Sequence, residues 1–338
     1  MNAQRLETSR LMQRFGFGPR PGEYAQALKD GVAATRAKVL TVPAVDAGAA
    51  TVLMPEITNI GKRPAANSAE IVPYAISLRY QNQQLVLWWL DRMAASDHGL
   101  TEKMTWFWHG HWATSVGKVN FALPMFIQNK TLRTHALGNF KDMSRAMIND
   151  SALQFWLDGQ DSTLKSPNEN LGRELMELFV LGVDRYTEDD VKGAARALTG
   201  YQVVNYEGSL TFNPKRHDPN PITVLGTTQP FTGEQLSDFL VAREDCATFI
   251  AERLWYRFIS STETMPASFG AKKAFATRDI SSAVKAMVQD PAVGDAKNDL
   301  VKSPVEWFIA ACRALELTPS NLKTPAQLIN YLNQLNQV

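Results

Sequence analysis

The stretch from Ser166 to Tyr201, SPNENLGRELMELFVLGVDRYTEDDVKGAARALTGY, reads as two helices joined by a short Gly/Tyr turn, and the rest of the chain must pack around it. Ser166 suits an N-cap, Pro167 suits the first helical position where its missing N–H costs nothing, and Glu169 three residues on completes a capping box. At about 100° per residue, Leu171, Leu175, Leu178 and Phe179 fall on one side and Leu181 extends the arc, so this face is expected to be buried. Glu174 projects into the same arc. Asn170, Glu174 and Glu177 then form a polar stripe at the edge of an apolar face, and a carboxylate buried there must be paired, bound to metal or protonated.

That stripe has two readings: an internal ion pair with an arginine from a neighbouring helix, or a metal or acid/base role. Arg173 and Glu177, at i and i+4, read as a surface pair. Glu169 lies about 140° from Glu174 on an ideal wheel and reads first as a cap. The second helix opens at Thr187 with an acidic first turn, Glu188, Asp189 and Asp190, which complements the positive end of its dipole, and it closes at Gly200. Val191, Ala194, Ala195 and Leu198 make its apolar face, and Gly193, Ala194 and Ala197 are small enough for close packing on the first helix.

The formal charge of +1 over 338 residues, with no basic patch, argues against an obligate nucleic-acid binder. A chain that is 45% hydrophobic can bury a large core. Cys246 and Cys312 match no CxxC pattern and sit in apolar helical surroundings, so buried thiols are expected. The opening MNAQRLETSR has no apolar signal region and no run approaches the ~18 apolar residues of a membrane span, so the chain as written is expected to be cytoplasmic, or a mature form whose signal has been removed. The break FGFGPRPG after Arg14 precedes a helix start at Gly22 or Glu23, but it contains neither GxGxxG nor GK[ST], which argues against phosphate binding by that loop. Residues 41–70, rich in Ala, Gly and Pro and without a period, read as an irregular loop; Ile71 to Met93 read as a helix with LVLWWL deeply buried.

LTEKMTWFWHGHWATS, at 100–115, carries the densest chemistry. With Thr101 as N-cap, Met104, Phe107, Trp108, His111 and Ser115 share the inward face of a regular helix, and His109 lies on the far side. Two histidines at i and i+2 meet at one ion only if the segment is extended or broken, which Gly110 would permit. Asn129 to Ala152 reads as one helix with Leu132, Ala136, Phe140, Met143 and Met147 as its core stripe and His135, Asn139 and Asp142 on a solvated face. VVNYEGSLTFNPKRHDPNPITVLG reads as a small hairpin whose loop holds His217 and Asp218, a dyad that could ligate metal or move a proton. Helices follow at Gln235–Ala242, Asp245–Ser260, Ser281–Val288 and Ser303–Leu317, the last with Ser303, Pro304 and Glu306 as a second capping box. The expected fold is mainly α, a single multi-helix globular bundle over 1–338 with a small β-hairpin insertion near 201–226.

RLMQRFGFGPRPG, WFWHGHWATS, MFIQNKTLRTHALGNFKDM, the Pro167–Tyr201 core, the later His-Asp pair and KSPVEW together resemble the bacterial DUF1800 family of unknown function, over nearly the entire chain. The resemblance implies a partner of the DUF1501 type, since the two are often encoded together, and export, since many members carry signals that this chain lacks. Related chains continue past the LNQLNQV region, so the resemblance also implies either a short member of the family or a chain lacking a C-terminal lobe. Matched by position, the recurrent polar residues are His109, His111, Asn168, Glu169, Arg173, Glu174, Glu177, Arg196, His217 and Asp218.

Two functions follow. One is a metal-dependent enzyme, a hydrolase or oxidoreductase, in which His109, His111, Glu174, Glu177 and His217 converge on zinc, iron or manganese. Arg173 or Arg196 would orient an anionic group, and Glu174 or Asp218 would serve as ligand or general base. The other is a non-catalytic helical scaffold or assembly partner in which the same residues form a buried network that fixes helix register. Glu174 and His111 near one open point would favour the enzyme; Glu174 closed by a bidentate arginine would favour the scaffold.

Overall fold

The computed structural model describes residues 3–335. The chain begins with α1 (Ala3–Arg14), α2 (Glu23–Asp30), α3 (Val32–Leu40), the short α4 (Ala47–Ala50) and the long α5 (Ile71–Ala95). Its middle holds α6 (Leu100–His111), α7 (Val116–Val119), α8 (Ala122–His135), α9 (Phe140–Ile148), α10 (Ser151–Trp156), α11 (Glu169–Glu174) and α12 (Glu188–Ala197). Two antiparallel hairpins follow, β1 (Tyr201–Val204) with β2 (Ser209–Phe212) and β3 (Ile222–Val224) with β4 (Thr227–Gln229). The rest is helical: α13 (Gly233–Ala242), α14 (Glu244–Phe258), α15 (Gly270–Ala274), α16 (Ile280–Gln289), α17 (Pro304–Ala314) and α18 (Pro325–Gln334). The fold is mainly α, and the expected single hairpin is two, registered by Tyr201 opposite Phe212 and by Ile222 opposite Gln229. Among the described residues no helix is long and apolar enough to cross a membrane.

The largest core gathers aromatic rings from the middle of the chain, with Trp108, Trp112, Phe140, Phe179 and Phe258 all enclosed. A second cluster joins Phe17, Leu90, Met93, Val305 and Ile309, and a third joins Leu85, Trp88, Val119 and Phe126. α5 serves both smaller clusters, so LVLWWL is buried as its run of apolar residues requires. Cys246 and Cys312 are buried free thiols.

Local chemistry sets most boundaries. Thr187 with Asp190 caps α12, and Ser303 with Glu306 caps α17 behind Pro304, each by a full capping box. Ser166 does not cap α11: it is drawn into a bridge with Thr163, and Asn168 takes the role by accepting the Asn170 N–H at 2.9 Å. Thr101 does not cap α6, which begins one residue earlier behind Gly99 in a left-handed conformation, φ 73°. The helix expected over 129–152 is three, because the chain turns at 136–139 and restarts when Asn139 caps α9 through the Lys141 N–H. Its stripe of Leu132, Ala136, Phe140, Met143 and Met147 is still buried on both sides of the turn.

α11 continues as one π-helical turn, Leu175–Val180, in which the N–H groups of Leu181 and Gly182 both donate to the Met176 carbonyl. The extra residue rotates everything after Glu174 away from the α-helical wheel. Leu178, expected inside, is therefore 46% exposed, while Met176 and Val180 are buried. α12 lies so close to α11 that a Cβ on Gly172 would come within 2.9 Å of the Ala195 nitrogen, and it backs onto β3 at Gly193.

Arginines tie the chain's two ends. Buried Arg14 donates to the carbonyls of Ile259 at 2.8 Å and Asn298 at 2.5 Å, and buried Arg313 donates to Gly18 at 2.7 Å and Ser96 at 2.6 Å. Within the FGFGPRPG break, the Gly18 carbonyl is held by Arg313, and Gly18 and Gly22 take positive φ, 94° and 83°.

Candidate functional site

α6 stays regular through Gly110, so its two histidines point to opposite sides. His111 turns inward among Phe107, Trp108, Trp112, Phe140 and Phe179. Its Nε2 lies 2.8 Å from the Phe179 carbonyl, which can only accept, so Nε2 carries the hydrogen and Nδ1 is left enclosed without a partner. Burial, reinforced by the nearby Arg253 charge, pushes its pKa down to about 3. This imidazole is uncharged at neutral pH.

His109 faces the other way, edge-on to Trp89 at 5.1 Å and stacked on Trp106 at 6.1 Å. Neither ring nitrogen has a hydrogen-bond partner among the described residues. Burial pushes its pKa down to about 4, so it too is uncharged at neutral pH. The ring forms a wall shared by two spaces: an outer cleft of about 320 Å³ between α6, α14 and α17, and an inner apolar chamber of about 70 Å³. Trp106 and Ser115 belong to the same wall.

The outer cleft is basic. Lys103 and Arg257 line it, and Glu306 is the one carboxylate on its lining among the described residues. Glu306 is spent twice, on an ion pair with Lys103 and on the Ser303 N–H at 2.9 Å. Arg257 has no ion pair or hydrogen bond among the described residues, only the ring of Tyr256 at 6.0 Å. Arg253, one turn earlier on α14, is equally without a carboxylate, and its Nε is enclosed and unbonded. Burial, with Arg257 second, holds Arg253 below the usual arginine range; burial, with Lys103 second, does the same to Lys302. Among the described residues the cleft lining thus carries two cations and one carboxylate, and the carboxylate is taken by Lys103, which leaves Arg257 without a counter-charge.

The remaining expected site residues lie elsewhere and have other engagements. Arg173 does not pair with Glu177; it makes a bidentate pair with Glu188 at 2.8 and 2.7 Å. Glu177 accepts the Tyr186 hydroxyl, whose pKa burial and this contact push up to about 12. Glu174 is half-buried with no ion pair or hydrogen bond among the described residues, and burial together with Glu177 raises its pKa. Arg196 binds Asp218 at 2.6 Å; burial pushes the Asp218 carboxyl up, but Arg196 and Asn220 outweigh it and hold it below the usual range. His217 sits with Nδ1 3.2 Å from both oxygens of Thr199. Among the described residues no group of three or more His, Cys, Asp or Glu side chains is placed to hold a metal ion. Glu174 is not closed by an arginine, and His111 is already bonded, so neither geometry set out from the sequence is met.

Two buried networks behind the cleft were not read from the sequence. Glu102, 3% exposed, accepts from Arg133 at 2.8 and 2.9 Å, from Arg92 at 3.1 Å and from the Trp89 indole at 3.1 Å. Arg133 in turn donates to the Asn129 side-chain oxygen at 2.6 Å. Glu102, Trp106 and His109 stand at i, i+4 and i+7, a spacing that places this carboxylate on the His109 side of α6. In the second network Thr114, on the cleft wall, donates to Gln128 at 2.5 Å, and Gln128 donates to Asp150 at 2.7 Å; burial pushes Asp150 up to about 6.

A family model described as a protein of unknown function, DUF1800, matches residues 10–338. No curated protein and no solved structure matches the chain.

Proposed function

This chain belongs to the DUF1800 family, and from that premise we propose that it works at the cleft between α6, α14 and α17, where it binds a small anionic molecule on which His109 acts as proton acceptor. One observation carries the reading: Arg257 lines this cleft with no ion pair or hydrogen bond among the described residues, while the other cation on the lining, Lys103, is paired with Glu306. Arg253 stands one turn before Arg257, and like charges at that spacing cost about 0.2–0.5 kcal/mol, a cost that an anion bound at Arg257 lowers. His109 is uncharged and neither ring nitrogen is engaged among the described residues, so one of them is free to accept a proton, and Trp106 and Trp156 line the same cleft.

The reading is tested by titrating the purified chain with acetate and with inorganic phosphate while following tryptophan fluorescence. Saturable quenching is expected, weakened about tenfold or more in Arg257→Met by loss of one charge-assisted contact. His109→Gln should keep anion binding and lose any turnover found in a substrate screen. Absence of saturable binding by both anions in the folded protein overturns the proposal.

A second reading, a divalent-metal hydrolase or oxidoreductase, rests on Glu174, whose half-buried carboxylate lacks a partner beside Glu177. Elemental analysis of untagged protein decides it: stoichiometric metal lost in Glu174→Ala supports it, and none after supplementation removes it.

A further inference from the structure

We infer that the wide cavity between α5 and α17 is a second binding site, one for an aliphatic amine whose ammonium group sits at Asp91. The cavity holds about 840 Å³ and shares no lining residue with the cleft of α6, α14 and α17. Leu87, Trp88 and Asp91 of α5 line one side, Cys312 and Arg313 of α17 another, and the segments 51–55 and 316–321 border it. Its size falls within the roughly 300–1,000 Å³ of small-molecule sites.

Asp91 is 9% exposed, and the residue that hydrogen-bonds to it is Ser320, whose N–H donates at 2.9 Å. An asparagine oxygen would accept that N–H equally well, so holding the 319–321 turn does not require a charge. Buried carboxylates are ordinarily paired, yet Asp91 has no ion pair among the described residues. Burial raises its carboxyl above the ordinary range, and Ser320 offsets only part of that.

The cations on the lining are committed elsewhere. Arg20 pairs with Asp97 at 2.6 Å; Arg313 donates to the carbonyls of Gly18, Ala94 and Ser96 and stands 3.6 Å from Glu23. Glu316, the other carboxylate on the lining, is exposed and likewise has no ion pair among the described residues. Both arginines of this cavity therefore have acceptors, and neither carboxylate has a cation.

Asp91 belongs to no group of three or more metal-ligating side chains among the described residues, whereas an ammonium group needs only one carboxylate. The apolar lining supplies the rest of the ligand. Leu53, Met54 and Leu317 stand at the cavity 87%, 62% and 43% exposed, and Val52 and Leu87 lie on the same lining. A bare ammonium ion leaves these side chains to water; a hydrocarbon arm covers them.

The test is isothermal titration calorimetry of the purified chain with n-hexylamine, with methylamine as the head alone and 1-hexanol as the uncharged arm. Wild type is expected to bind n-hexylamine about tenfold or more tightly than either. Asp91→Asn, which keeps an acceptor for Ser320, should bring n-hexylamine down to the level of 1-hexanol and leave 1-hexanol unchanged. Leu53→Lys, at a position outside the core, should weaken n-hexylamine about threefold or more without disturbing the fold. Binding of n-hexylamine by wild type no tighter than 1-hexanol or methylamine, or undiminished binding in either variant, overturns the inference.

Discussion

His111 donates its Nε2 hydrogen to the Phe179 carbonyl at 2.8 Å, fastening the C-terminal end of α6 to the end of the π-helical turn. The π turn leaves that carbonyl at a helix terminus inside the core, where no water can take its place. His111→Ala removes both the bond and the ring, and it should cost about 2–4 kcal/mol in urea unfolding. Acetate affinity of the folded fraction should be unchanged, since the cleft is built on the opposite side of α6.

The pKa directions make acid stability informative. His111 falls from an ordinary 6.5 to about 3, so below pH 6.5 the unfolded chain takes a proton that the folded chain refuses. Its stabilising contribution is complete above 6.5 and is lost on acidification at about 1.4 kcal/mol per pH unit. Asp150 works in reverse: raised from 3.8 to about 6, its contribution is present at low pH and lost as pH rises through 6. Urea unfolding at a series of pH values from 4.5 to 6.5 should therefore show a slope shallower by about one proton in His111→Phe and steeper by about one in Asp150→Asn.

Glu102 holds two guanidinium groups and an indole in the α5–α6–α8 interface. Glu102→Ala leaves Arg92 and Arg133 facing each other unpaired, and the expected loss is about 3–5 kcal/mol by denaturant unfolding. A loss under about 1 kcal/mol would mean that the pair is solvated and that Asn129 is not held by it.

Gly172→Ala should destabilise by about 1–3 kcal/mol, because its Cβ would meet the Ala195 nitrogen at 2.9 Å and the Ala194 side chain at 3.3 Å. The contact is backbone rather than a flexible side-chain tip, so relief requires separating α11 from α12. Thermal unfolding of the variant beside wild type measures it.

The opposed directions of His109 and His111 were legible because α6 is regular, and i, i+2 spacing on a regular helix admits no other outcome. Thr187 and Ser303 declared their helices through side chains that bond within the same turn. The Glu174 stripe misled because wheel arithmetic assumes α geometry, and that geometry ends at Glu174 where the π turn begins. The basic cleft was hidden for another reason: Arg257 and Glu306 come 154 and 203 residues after Lys103, and only tertiary packing brings them together. Glu102 lay in view, on the same side of α6 as His109, but nothing local distinguishes a carboxylate that meets two distant arginines from one that meets water.

Arg14 finds its acceptors 245 and 284 residues downstream, and Gly18 is gripped by an arginine 295 residues away. During synthesis, at roughly 5–20 residues per second, the first helix leaves the ribosome on the order of ten to fifty seconds before its partners exist. The bonds that hold Arg14 are therefore completed late, and a translation product halted within α14 would present this guanidinium without either of its carbonyl acceptors.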